Sequence, residues 1–210
     1  MDIHLHLGDG VNKEESKIAI CSLSEIVDFL PKTLDDRFNI RVFDDSLERY
    51  ETSSFVPEIE KFDGSNILWN FILERKNHSH SHFDVAIFSK RITVKDRDRN
   101  WLDSIFGLAG SGVAIVSTHG FNHGLKNREL RNLCLRRAIL HEFFHIIGLV
   151  PNWRETNVDT RLGLNCSNIC IMRQGMSVSE WKKYSIEEEK KGVILCSQCK
   201  ENLFEVLSRK

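Results

Sequence analysis

A chain of 210 residues is long enough for one well-buried domain of ordinary size, or one domain with a small appendage, and too short for two large independent ones. Its formal net charge of -1, with 28% of residues charged, offers no long-range attraction to a polyanion, so nucleic acid is not an expected partner. No apolar run reaches the roughly 18 residues that could span a bilayer, and MDIHLHLGDG lacks the basic segment and apolar core of a secretory leader, which predicts a cytoplasmic protein away from membranes.

Taken in chain order, residues 17–21 read as an extended segment, followed by a short helix from Ser22 or Ser24 that Pro31 ends. Residues 37–43 (RFNIRVF) alternate as a half-buried strand should. Residues 44–66 suggest surface loops with one helical turn, and 67–75 (ILWNFILER) is an apolar run whose period does not decide between helix and strand. His78, His80 and His82 alternate, a spacing that would share one strand face, but their polar surroundings predict an exposed loop. Residues 83–88 (FDVAIF) form a strand. Residues 105–112 carry a glycine-rich bend feeding an apolar strand at 113–117, expected at or near a sheet edge, where it could pair with a substrate backbone. No lysine follows those glycines and no helix opens there, which argues against a phosphate loop.

Residues 127–147 make the longest helix, with Asn127 or a neighbour as cap, Glu129 in its first turn and Gly148 as the closing residue. Past Gly148, residues 150–170 show no sustained period, 181–191 read as a polar helix, and the chain ends in a C-x-x-C turn leading into a short amphipathic helix.

The long helix carries HEFFHIIG, residues 141 to 148. Histidines four apart lie about one turn from each other, close enough to share a zinc ion at about 2.0 to 2.1 Å, while Glu142 can reach a water held there and act as general base. Gly148 permits the abrupt turn that returns the chain toward the metal. The alternative is a buried histidine pair on an ordinary helix. Four of the six cysteines, Cys166, Cys170, Cys196 and Cys199, form C-x3-C and C-x2-C pairs that can converge as a tetrahedral thiolate site for structural zinc. Cys21 and Cys134 stand alone and read as buried small apolar residues.

The motifs in this order resemble the archaemetzincin family, the metzincin metallopeptidases with an additional structural zinc. Its H-E-x-x-H-x-x-G matches His141, Glu142, His145 and Gly148, its C-x-M matches Cys170, Ile171 and Met172, and its closing C-x-x-C matches Cys196 and Cys199. The strand at 84–88 and the segment 106–119 look like the strand, bulge and edge strand preceding the family's active-site helix, so the resemblance covers roughly 84–203. It implies a mixed α/β (α+β), metzincin-like fold, with a twisted mixed sheet packed on the active-site helix and a small C-terminal part holding the four-cysteine zinc. It further implies one catalytic-type domain over 1–210, divided into an N-terminal part (1–148) and a C-terminal part (149–210) with the methionine turn. The implied activity is zinc-dependent cleavage of peptide or protein substrates, as endopeptidase or aminopeptidase, with one catalytic and one structural Zn2+.

In the family a third histidine follows the glycine after two residues and is followed directly by a cysteine. Here that position holds Pro151, which cannot bind zinc, and the matching cysteine is Cys166, about fourteen residues further on. The first cysteine pair is also one residue closer than the family's C-x4-C. Asp159 is the preferred third ligand, anchored by the leucines after it, with Glu155, His119 and His123 as alternatives and a two-ligand or metal-free site as the remaining reading. Two functions follow: a peptidase, or a weak or inactive relative that serves as a zinc-stabilised binding module. Pro151 favours the second, and the retained Glu142 favours the first. A nucleic-acid-binding zinc ribbon is disfavoured because Glu187, Glu188, Glu189 and Glu201 dilute the lysines near the cysteines. The oligomeric state has no signature.

Overall fold

A computed structural model describes residues 2–27, 39–43, 47–76, 82–96 and 98–208; His78 and His80 lie outside these. Strand β1 (Asp2–Leu7) alternates as a pleated strand does, with Ile3 and Leu5 fully buried on one face and His4 and His6 on the other. The sequence reading places no strand here, although DIHLHL has a period of two; histidines in the polar positions mask it. Helix α1 (Lys13–Val27) corrects the extended reading of 17–21. Asn12 Oδ1 accepts from the backbone N of Glu14 and Glu15 (3.0 and 3.1 Å), and Glu15 Oε2 accepts from Asn12 N at 2.9 Å, a reciprocal cap that starts the helix well before Ser22. The β-branched residues that suggested a strand belong to its inward side, beside the fully buried Ala19, Leu23 and Ile26. The expected burial of the two lone cysteines is met at Cys134 and not at the exposed Cys21.

Strand β2 (Asn39–Phe43) is followed by helix α2 (Glu48–Ser54), the short strands β3 (Phe55–Val56) and β4 (Lys61–Asp63), and helix α3 (Gly64–Lys76). Asp63 Oδ1 accepts from Ser65 N at 2.9 Å at the start of α3, which settles the undecided apolar run as helix. Strand β5 (His82–Phe88) is buried along its whole length. His82, expected in an exposed loop, is its first residue and only 5% exposed. After β6 (Ile92–Thr93) come β7 (Gly107–Gly110) and β8 (Val113–Ser117).

The main sheet has the order β2-β1-β5-β8-β7, parallel except for β7, which runs antiparallel to β8. Strand β8, expected near an edge, is therefore interior; the edge belongs to the glycine-rich β7. The period of two in β5 sends Phe83, Val85 and Ile87 to one core, and Ala86 and Phe88 to another. The first core receives α1 and α5 (Arg128–Ile147); the second receives α2 and α3. The result is a helix-sheet-helix sandwich with mixed strands.

Short helix α4 (His119–Gly124) precedes α5. Asn127 Oδ1 caps α5 by accepting from Leu130 N at 3.0 Å, and Gly148, at φ 83°, closes it with its N–H on the carbonyls of Phe144 and His145. The chain then forms β9 (Val158–Asp159) and β10 (Asn165–Cys166), an antiparallel pair, followed by α6 (Val178–Lys191) and α7 (Ser197–Ser208). Ser177 caps α6, its Oγ accepting from Glu180 N at 3.2 Å. The first core continues across Gly148 to include Cys166, Met172, Trp181 and Leu203. Among the described residues no helix is long and apolar enough to cross a membrane.

Candidate metal centres

His141 and His145 sit one turn apart on α5, and their Nε2 atoms approach to 3.1 Å. His141 is 1% exposed, and its Nδ1 donates to the Ile171 carbonyl at 2.8 Å. That bond places the proton on Nδ1 and leaves the Nε2 lone pair directed at His145. Burial lowers the pKa of both imidazoles, that of His145 to about 4, so both are neutral at ordinary pH.

Glu142 is 5% exposed, and burial lifts its carboxyl to about 8. It lies under β7: a Cβ built on Gly107 would stand 2.4 Å from Glu142 Cγ and 2.6 Å from its Oε1. The edge strand can therefore cross directly above the carboxylate only because residue 107 has no side chain.

The third element at the pair is Asn165. Fully buried at the start of β10, it brings Oδ1 to 3.0 Å from His145 Nε2, while its Nδ2 donates to the Leu162 carbonyl at 3.0 Å. The amide is thus oriented with its oxygen toward the histidines. Asp159, the sequence-preferred third ligand, stands opposite Asn165 in the β9–β10 pair, but Arg161 holds both its oxygens (Nε at 3.0 and 2.9 Å, Nη2 at 2.6 Å) and keeps its carboxyl below the ordinary range. His119 and His123 face each other on α4 with ring centroids 4.2 Å apart. Among the described residues, no histidine, cysteine, aspartate or glutamate joins His141 and His145 in a cluster of ligand atoms. Asn165 escaped the sequence reading because asparagine is an uncommon metal ligand. Its signal was positional: it directly precedes Cys166, as the family's third histidine precedes its cysteine.

The turn at Ile171 and Met172 is joined to the pair through His141. Met172 is fully buried, its carbonyl accepts from Cys166 N at 2.8 Å, and the Ile171 carbonyl that orients His141 comes from the same turn. Arg137, one turn before His141, braces it: Nη2 donates to the Arg173 carbonyl at 2.6 Å, Nε donates to Glu188 Oε2 at 2.8 Å, and the guanidinium stacks 4.5 Å from the Trp181 ring centroid. Trp181 in turn meets the His141 ring edge-on at 5.5 Å. Although charged, Arg137 is 1% exposed. Its partner Glu188 lies on α6, fifty-one positions away, where helix periodicity cannot reveal it.

The four cysteines meet as expected, with all four Sγ atoms within 4.8 Å of one another. The Cys166–Cys196 and Cys170–Cys199 sulfur pairs are 3.8 and 3.5 Å apart. Four thiolates at about 2.3 Å from zinc stand about 3.8 Å from each other, so the cluster fits the ion. In the smaller histidine–amide set the two edges at His145 Nε2, 3.1 and 3.0 Å, lie close to the tetrahedral edge of about 3.3 Å that ligand bonds of about 2.0 to 2.1 Å give. Hydrogen bonds from Cys170 lower the Cys166 and Cys196 thiols well below the usual range. A buried guanidinium, unforeseen in the sequence, joins them: Arg154 donates to Cys199 Sγ at 3.3 Å and Cys166 Sγ at 3.1 Å, and also binds Gln198 Oε1 and the Asn157 carbonyl. The inserted segment after Pro151 is thereby tied onto the cysteine cluster.

No family model matches this chain, and no curated protein matches it. Among solved structures, the archaemetzincin of Methanopyrus kandleri superposes with a TM-score of 0.71 at 17% identity, over 99% of this chain and 96% of that one. The archaemetzincin of Archaeoglobus fulgidus, solved in complex with malonate, gives 0.64 at 18% identity, over 96% of this chain and 99% of that one. The chain has the archaemetzincin fold, with the mixed sheet and convergent cysteines that its sequence led one to expect.

Proposed function

We propose that this chain is a zinc-dependent metallopeptidase of the archaemetzincin type, with His141, His145 and Asn165 holding the hydrolytic zinc, Glu142 as general base, and Cys166, Cys170, Cys196 and Cys199 holding a structural zinc. The observation that carries this reading is His145 Nε2 lying 3.1 Å from His141 Nε2 and 3.0 Å from the oxygen of the buried Asn165, with both histidines on the helix that presents Glu142. Zinc held there would supply Lewis acidity toward a peptide carbonyl and lower the pKa of water. Glu142 would accept the water's proton and deliver it to the departing amine. The unpaired side of β7 would align an extended peptide backbone over Glu142. The Ile171 carbonyl holds His141 in the tautomer this requires.

Zinc content and turnover of a fluorogenic peptide mixture test the proposal. Zinc-loaded protein should carry one zinc on the histidine pair and one on the cysteine cluster and cleave peptides, and E142Q should keep both while losing nearly all turnover. Blocked and free amino termini distinguish endopeptidase from aminopeptidase. The second reading, an inactive binding module, rests on the amide ligand and on Pro151; two bound zincs without turnover on any peptide would establish it.

A further inference from the structure

The face of the main sheet turned away from α5 carries an independent cluster of ligand groups. In the β1–β5 pairing His4 stands beside Asp84 and Asp2 beside His82, so the period of two places His4, His6, His82 and Asp84 on one face, opposite Ile3, Leu5, Phe83 and Val85. Asp84 is 5% exposed, and its two oxygens are divided. Oδ1 faces His6 Nε2 at 3.0 Å and His4 Nδ1 at 3.8 Å. Oδ2 faces His82 Nε2 at 3.2 Å and Arg75 Nε at 3.6 Å. Arg75 is itself fixed on the carbonyls of His82 and Ser111, so it orients Asp84 from the Oδ2 side and leaves Oδ1 facing the two β1 histidines.

We propose that His4 Nδ1, His6 Nε2 and Asp84 Oδ1 form a further metal site, separate from the histidine helix and the cysteine cluster, for a borderline divalent cation such as zinc. One ligand atom from each of the three residues lies within 4.8 Å of the other two, and two imidazoles with one carboxylate are a donor set that suits such cations and not magnesium or calcium. Three strand positions on two hydrogen-bonded strands fix them without a loop. Phe43 covers the histidines, with ring centroids 4.9 Å from His4 and 5.2 Å from His6, and Phe71 closes on His6 at 5.5 Å, so the site is walled by apolar rings that strengthen charge–ligand attraction. Stacking of His82 on His4 at 4.1 Å restrains the His4 ring.

The test is metal stoichiometry by mass spectrometry after equilibrium dialysis of the full chain against zinc. H141A/H145A should lose one equivalent, and adding H4Q/H6Q should lose a further one; dialysis against magnesium should load neither. An H4Q/H6Q protein that folds and binds as much zinc as wild type overturns the proposal. Should that variant fail to fold, the unaltered protein decides: zinc should slow carbethoxylation of His4 and His6 by diethyl pyrocarbonate at least severalfold in H141A/H145A background and wild type alike. Equal modification with and without zinc sinks the idea.

Discussion

An amide oxygen carries only a partial negative charge, so Asn165 offers a dication less than an imidazole or a carboxylate would in the same place. Asn165→His should therefore raise zinc affinity at the histidine pair by about tenfold or more, equal to about 1.4 kcal/mol, with the cysteine zinc unaffected; competition with a chromogenic chelator measures it. Asp159→Asn, with its carboxylate already engaged by Arg161, should change that affinity little. Glu142 provides a pH signature when the histidine pair is metal-free. Its folded pKa, raised by burial to about 8 from 4.5, contributes stability that is complete below pH 4.5 and lost as pH rises through 8. His145 acts in the opposite sense, costing stability as pH falls from 6.5 through about 4. Between pH 6.5 and 8 the Glu142 contribution stands clear of His145, so wild-type Tm should fall across that window and E142Q should lack this fall. Both histidines and the glutamate were legible in a five-residue motif because helix geometry fixes their relation. Asn165 was harder to read because its place at the pair depends on where an insertion returns.

At the level of elements, helix α5 was readable from end to end, since Asn127 and Gly148 are local signals that the structure uses as caps. Strands and loops were less so. The interior position of β8 depends on β7 folding back against it, a pairing made by four residues that read only as a glycine-rich bend. That strand has its own test. Gly107→Ala would push a methyl into Glu142, displacing the carboxylate or the strand, and should reduce kcat by about 100-fold while both zincs remain bound. Steady-state kinetics with parallel zinc assay checks it, and loss of zinc in the variant would contradict the assignment of Gly107 to the space above the base. Helix α1 was misread at its start because isoleucines suit strands and amphipathic helices alike, and only the Asn12–Glu15 cap decides between them.

Over the whole molecule, the general architecture could be anticipated from the order of motifs, while the braces that join its parts could not. The buried Arg137–Glu188 pair links α5 to α6, and Arg154 joins the insertion to the cysteine cluster; each connects residues far apart in sequence. Breaking the first by Arg137→Ala would leave Glu188 buried without its charge partner and should cost about 3–5 kcal/mol, read as a lowered urea midpoint. The two-residue strand β10 has a different consequence. Asn165 faces the histidines and Cys166, the next residue, faces the other three sulfurs, so one peptide unit belongs to both centres. Oxidation of the sulfur cluster cannot then remain local. Mild peroxide should convert thiolates to sulfenic acid or disulfide, release the structural zinc, withdraw Cys166, and drag the Asn165 oxygen off the histidine pair, silencing hydrolysis without touching Glu142. Reduction followed by zinc should restore both together, and the protein would act as a peptidase whose activity reports the thiol balance around it.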